Sequence, residues 1–128
     1  MKYNYILVTI GTVNFDQLVN FYMQLLESPP IKFIPSIYVE WQVDHLRLGI
    51  FRPQKDHEPE FVVHGKNPLS LCIEVSNLEN AISDLKSLGY PPTGEISRTS
   101  HGQEIYAQDP DGNRLILYSS SNIDKQCP

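Results

Sequence analysis

Glu74, Arg47 and Arg114 each stand inside an apolar, strand-like stretch: SLCIEV at 70–75, LRLGIF at 46–51 and RLILY at 114–118. A carboxyl group near a guanidinium in a shielded place can act as a general base, hold a polar ligand, or form a structural ion pair. Glu74 is therefore the candidate catalytic residue, and all three are candidates for ligand recognition. The histidines His45, His57, His64 and His101 are the other groups that could move a proton or hold a metal. They show neither HxH nor HExxH spacing, and His57 and His64 fall in a polar stretch where a solvated imidazole is the common case. Cys72 lies in a strand-like run and Cys127 in a polar tail, with no CxxC pair. The expectation is two structural cysteines, with neither a disulfide scaffold nor a zinc cluster.

The elements that must position these residues occur twice. ILVTIGTV at 6–13 alternates with Ile6, Val8 and Ile10 on one face, the period of a half-buried strand. A helix follows, with Asn14 as N-cap, Gln17 three residues on, and an apolar stripe of Phe15, Leu18, Val19, Tyr22, Leu25 and Leu26 that ends before Pro29 and Pro30. The same order returns 63 residues later: Leu71, Ile73 and Val75 share a face, Asn77 caps a helix with Leu78, Ala81, Ile82, Leu85 and Leu88, and Gly89 stops it before Pro91 and Pro92. Three short strands close each half. VDHLRLGIF at 43–51 and DPDGNRLILY at 109–118 echo one another, the latter opening on a turn in which Pro110 sets φ, Gly112 permits a positive φ, and Asp109 and Asp111 bond local backbone.

This repeat predicts an α+β fold, two pseudo-repeated βαβββ modules pairing into a cupped mixed sheet, because one helix cannot cover both faces of a module's sheet. Residues 1–128 then form a single domain, with module one at about 4–56, a linker at about 53–68, module two at about 69–119 and a polar tail at 120–128. Ile6, Val8, Ile10, Leu46, Leu48, Ile50, Leu71, Ile73, Val75, Leu115 and Leu117 are expected against the helices. The opposite face, with Leu7, Thr9, Arg47, Gly49, Phe51, Ser70, Cys72, Glu74, Arg114, Ile116 and Tyr118, is mixed in polarity, as a cavity lining is. Trp41, Tyr38, Phe51, Tyr106 and Tyr118 lie on strands walling that cavity and suit a flat or apolar ligand.

A formal net charge of -5 with no Lys or Arg run argues against nucleic acid and anionic membrane surfaces as partners. The N-terminus lacks a long apolar segment with a cleavage site, so a soluble, cytoplasmic protein is expected. A small molecule and a second copy of the chain are the expected partners, and no cofactor is expected.

The duplicated strand-helix-three-strand pattern, with FYMQLL at 21–26 in the first helix and DPDGNRLILY near the end, resembles the vicinal oxygen chelate superfamily, which holds glyoxalase I, extradiol dioxygenases and the fosfomycin and bleomycin resistance proteins. The resemblance covers about residues 4–119. In metal-dependent members His and Glu from equivalent strand positions of both halves hold a divalent ion. By alignment of the helix and turn motifs those positions are Leu7, Ser70, Gly49 and Ile116, none a good ligand. The resemblance also implies a homodimer, and a ligand-covering role for the TSHGQE loop that carries His101. The resulting expectation is a metal-free member that binds a small organic molecule through Arg47, Phe51, Ser70, Glu74, Arg114, Tyr118, Trp41 and His101. A lyase or isomerase using Glu74 or a relocated His, and an interaction subunit whose cavity is filled by its own aromatics, stand beside that reading.

Overall fold

The computed structural model describes residues 1–62 and 67–120. His64 and Cys127 lie outside the described residues. The chain divides into two compact units, Met1–Val62 and Val63–Pro128. The first runs β1 (Val8–Gly11), α1 (Phe15–Leu26), β2 (Lys32–Ile34), β3 (Tyr38–Val43) and β4 (Leu46–Phe51). Its sheet has the order β1-β4-β3-β2, with β1 parallel to β4 and the other pairs antiparallel. The second repeats this with β5 (Leu71–Glu74), α2 (Leu78–Leu88), β6 (Ser97–Arg98), β7 (Gly102–Gln108) and β8 (Arg114–Ser120), in the order β5-β8-β7-β6. The fold is α+β, built of two βαβββ modules, as the repeat predicts.

The apolar stripe explains why α1 packs against its own sheet. Phe15, Leu18, Val19 and Tyr22 are buried, and α1 meets β4. Register selects what they meet: Val39 pairs with Ile50 and Trp41 with Leu48, so these four share a face, and all are at most 2% exposed. The Tyr22 and Trp41 rings lie 6.5 Å apart. Fully burying side chains of this size contributes about 1.5–3 kcal/mol each. In the second unit α2 packs against β8 and buries Leu78 and Leu85, while Ile105, Ala107, Leu115 and Leu117 form the inward face of the sheet. At the open end of the first sheet the expected core thins out. Ile6 is 75% exposed, Val8 47% and Leu46 38%, because α1 runs beside β4 and leaves the start of β1 and the β3–β4 turn uncovered.

The helix ends differ in chemistry. Asn77 caps α2, its side chain accepting from the Asn80 N–H at 2.9 Å, and Gly89 closes it at φ 94 with Gly89 N–H to Lys86 and Tyr90 N–H to Leu85. Asn14 holds the same place on α1 without a side-chain capping bond: its ψ of 58 is not extended, and its own N–H donates instead to Thr12 Oγ1 at 2.9 Å. The first helix stops at Leu26 with Glu27 in the left-handed region, ahead of the prolines. The DPDG turn is built on buried Asp109, whose Oδ1 accepts from the N–H groups of Asp111 and Asn113 while Gly112 takes φ 87.

Two features add to or differ from these expectations. Part of the linker is ordered, a 3₁₀ helix over Lys55–Phe61 with Pro59 inside it, whose tighter repeat leaves no 3.6-residue apolar pattern to read. Its Phe61 ring stands edge-on to Phe51 at 5.2 Å and covers Gly11, where a Cβ would collide with the ring. Cys72 is engaged in a disulfide rather than carrying a thiol.

The exposure gradient along one face is testable by urea denaturation. Leu48→Ala, which opens a hole beneath α1, is expected to cost about 2–5 kcal/mol. Val8→Ala, in the neighbouring register position, should stay within about 1 kcal/mol because half of that side chain already meets solvent.

Candidate functional site

The face of the first sheet opposite α1 carries Tyr38, Glu40, Arg47, Gly49 and Phe51, since Tyr38 pairs with Phe51, Glu40 with Gly49, and Gln42 with Arg47. Its centre is a charged group out of contact with water: Glu40 is 1% exposed. Oε1 accepts a 2.5 Å hydrogen bond from the Tyr38 hydroxyl. Among the described residues Oε2 has no hydrogen bond, and Arg47 Nη1 stands 3.6 Å away. The Arg47 guanidinium lies over the Tyr5 ring, 4.0 Å from its centroid. Gly49 makes room for this arrangement, because a Cβ there would lie 2.7 Å from the Tyr38 hydroxyl. Burial, and then the hydrogen bond and negative potential of Glu40, hold the Tyr38 phenol well above its ordinary value of 10, against a smaller opposing effect of Arg47.

Sequence reading placed Arg47 on this face but passed over Glu40. The signal was available: in YVEWQV, once Trp41 is assigned to the core, Tyr38, Glu40 and Gln42 must point the other way. Trp41 is itself a correction. It was expected to wall a cavity, yet it is fully buried against Tyr22, and its Nε1 has no hydrogen-bond partner among the described residues. Phe51 does line a depression, of about 360 Å³, shared with Arg52, Pro53, Gln54, His57, Glu60 and Phe61. There His57 Nδ1 and Glu60 Oε2 meet at 2.7 Å on the exposed surface of the 3₁₀ helix.

In the second unit the corresponding face carries Ser70, Cys72, Glu74, Arg114, Ile116 and Tyr118, as strand parity predicts. Arg114 does not pair with Glu74. Its Nη1 donates to Ser70 Oγ at 3.0 Å and its Nη2 to the Asn67 carbonyl at 2.8 Å, so Ser70 and Arg114 form one unit. Both are near a shallow cleft of about 130 Å³ lined by Arg114, Asn67, Thr93 and Tyr106 among others. Glu74 is solvent-exposed, without the shielded setting expected of it. Tyr118 is fully buried, and its hydroxyl donates to the His101 carbonyl at 2.9 Å. It anchors the 99–102 turn, whose His101 side is exposed, rather than facing a ligand directly. His45 is exposed and 3.8 Å from Asp44.

A divalent metal, implied by the resemblance, does not fit the positions expected to hold it. Leu7, Gly49 and Ile116 offer no side-chain donor, and the Ser70 hydroxyl is engaged by Arg114. Among the described residues no group of three or more His, Cys, Asp or Glu is placed to hold an ion.

The Tyr38–Glu40 bond has a pH signature. A phenol whose pKa is raised on folding contributes stability that is fully present below pH 10 and is lost as pH climbs past 10 toward the folded value. Tyr38→Phe is expected to destabilise by about 1–3 kcal/mol at neutral pH, by leaving Glu40 Oε1 unsatisfied, and to flatten the stability loss above pH 10. Chemical denaturation of both proteins from pH 7 to 11 measures this, and an unchanged alkaline slope would sink it.

Residues 4–117 match the Glyoxalase/Bleomycin resistance protein/Dioxygenase superfamily. A search of curated proteins gives no match. Among solved structures, a glyoxalase-related enzyme from Fulvimarina pelagi is 17% identical with a TM-score of 0.73 over 96% of this chain and 95% of its own. A protein from Agrobacterium tumefaciens solved by NMR is 22% identical, TM-score 0.73, over 91% and 96%. The genomically encoded fosfomycin resistance protein FosX from Listeria monocytogenes is 14% identical, TM-score 0.73, over 94% and 96%. At these identities the likeness is one of fold. With the matched residues spanning both βαβββ repeats, the chain belongs to the glyoxalase/bleomycin resistance/dioxygenase superfamily.

Proposed function

We propose that this chain is a metal-independent member of the superfamily that binds a small organic molecule on the helix-free faces of its modules, sequestering it in the way bleomycin resistance proteins hold their ligand. The observation that carries this reading is the buried Glu40 carboxyl, held between the Tyr38 hydroxyl and the partly exposed Arg47 guanidinium. A protein that only had to fold would gain from an apolar residue at 40, since isolating a carboxyl from water costs several kcal/mol that the 3.6 Å approach of Arg47 offsets only in part. Such groups are retained where polar recognition is needed. The residue types at 7, 49, 70 and 116 support the metal-independent half of the reading, because Lewis-acid chemistry needs several converging N or O ligands.

The catalytic alternative, a lyase or isomerase using Glu74, loses support from the exposure of Glu74. The His57–Glu60 pair is the other acid-base candidate, and both of its side chains are more than half exposed.

Thermal unfolding of the full chain against a small-molecule library, followed by calorimetric titration of the hits, tests the proposal. A stoichiometric ligand is expected to raise the melting temperature, with stabilisation of about 2.7 kcal/mol at a hundredfold excess over Kd, and to remain chemically unchanged. Metal content after incubation with manganese, iron, nickel and zinc and desalting should stay far below one ion per chain. A near-stoichiometric ion, or turnover of the bound molecule, would overturn the proposal.

A further inference from the structure

We propose that Glu40 and Arg47 form the subsite for the ligand's polar head, and that this head is a neutral group carrying an N–H beside a C=O, such as a primary carboxamide. The inference rests on the small-molecule reading above and adds the chemistry of the ligand. Glu40 Oε1 is committed to Tyr38, whereas Oε2 is shielded from solvent and accepts no hydrogen bond from the described residues. Arg47 Nη1, at 3.6 Å, is close enough to form an ion pair but beyond hydrogen-bond length. An acceptor and a donor therefore stand side by side, 3.6 Å apart, with the guanidinium plane steadied by the Tyr5 ring.

That spacing suits an amide. Its N and O, both bonded to the carbonyl carbon, are about 2.3 Å apart, a primary amide has one N–H on the same side as the C=O, and the partners of two outward-splaying hydrogen bonds stand farther apart than the atoms they bind. Charge selects against the alternatives. An ammonium group on Oε2 would lie against the Arg47 guanidinium, and a carboxylate on Arg47 would lie against Glu40, whose charge is shielded from water. An apolar head would leave Oε2 buried and unsatisfied, as it now is. Entry is on the Arg47 and Tyr5 side, where the Arg47 side chain is 32% exposed and Tyr5 49%, and it requires these side chains to turn aside, because Oε2 is closed to solvent as they stand.

Titration of benzamide into the isotopically labelled full chain, followed by NMR, with benzylamine and benzoate as charged controls, is the test. Benzamide is expected to shift the Arg47, Tyr5 and Glu40 signals and to bind at least tenfold tighter than either control. Glu40→Gln keeps the shape of the side chain and turns the waiting acceptor into a donor, so benzamide should bind it at least tenfold more weakly. Arg47→Met should weaken binding similarly, and it serves as the variant if Glu40→Gln does not fold. Equal or tighter binding of benzylamine or benzoate at these residues, or unchanged benzamide affinity in the folded variants, overturns the subsite. Failure of benzamide while other library classes bind also overturns it and leaves the small-molecule reading standing. Failure of every class overturns both.

Discussion

In each unit one helix lies on one face of a four-stranded sheet, and residues two apart along every strand are bound to whichever side that helix takes. In the first unit α1 claims Val39, Trp41, Leu48 and Ile50, and the same decision turns Tyr38, Glu40, Arg47 and Gly49 to the other side. In the second, α2 claims Leu115 and Leu117 and turns Arg114, Ile116 and Tyr118 away. A one-residue slip would exchange the two sets, placing Glu40 under the helix and Trp41 outside it. Register is thus the constraint on which both core and candidate site depend.

The two helix-free faces have gone different ways. The first gathers a buried acid, a phenol and a guanidinium around a glycine that leaves space for them. The second has committed its arginine to Ser70 and the Asn67 carbonyl, and its buried tyrosine to the backbone of the 99–102 turn. A duplicated module therefore carries unspent hydrogen-bonding capacity at Glu40 in one copy and satisfied structural bonds at Arg114 and Tyr118 in the other. Superfamily membership supplies the scaffold, and what such a scaffold does depends on the side chains its faces carry.

Stability and the proposed recognition draw on the same residues. Glu40 costs the fold energy because its charge is taken from water with one oxygen unmatched, and Tyr38 offsets part of that cost through a short charge-assisted bond. Core packing at Leu48 and Ile50, on the opposite side of the strand that presents Arg47 and Gly49, keeps this arrangement rigid.

Much of this was legible in the amino-acid order. Both βαβββ repeats, the Asn77 cap, the Gly89 stop, the Asp109 turn and the parity of Arg47, Phe51, Ser70, Glu74 and Arg114 follow from periodicities of 2 and 3.6 and from turn residues, which are local properties. The lack of a usual metal ligand at positions 7, 49, 70 and 116 came instead from the family resemblance, aligned on the helix and turn motifs. Partner choice was not legible, since it depends on side chains meeting across strands and turns far apart in the chain. Only the tertiary structure directs Arg114 to Ser70, Tyr118 to His101 and Trp41 to Tyr22. It also buries Glu40 beside Arg47 while leaving Glu74 in solvent, because burial is set by what covers a face, and strand parity names only the face.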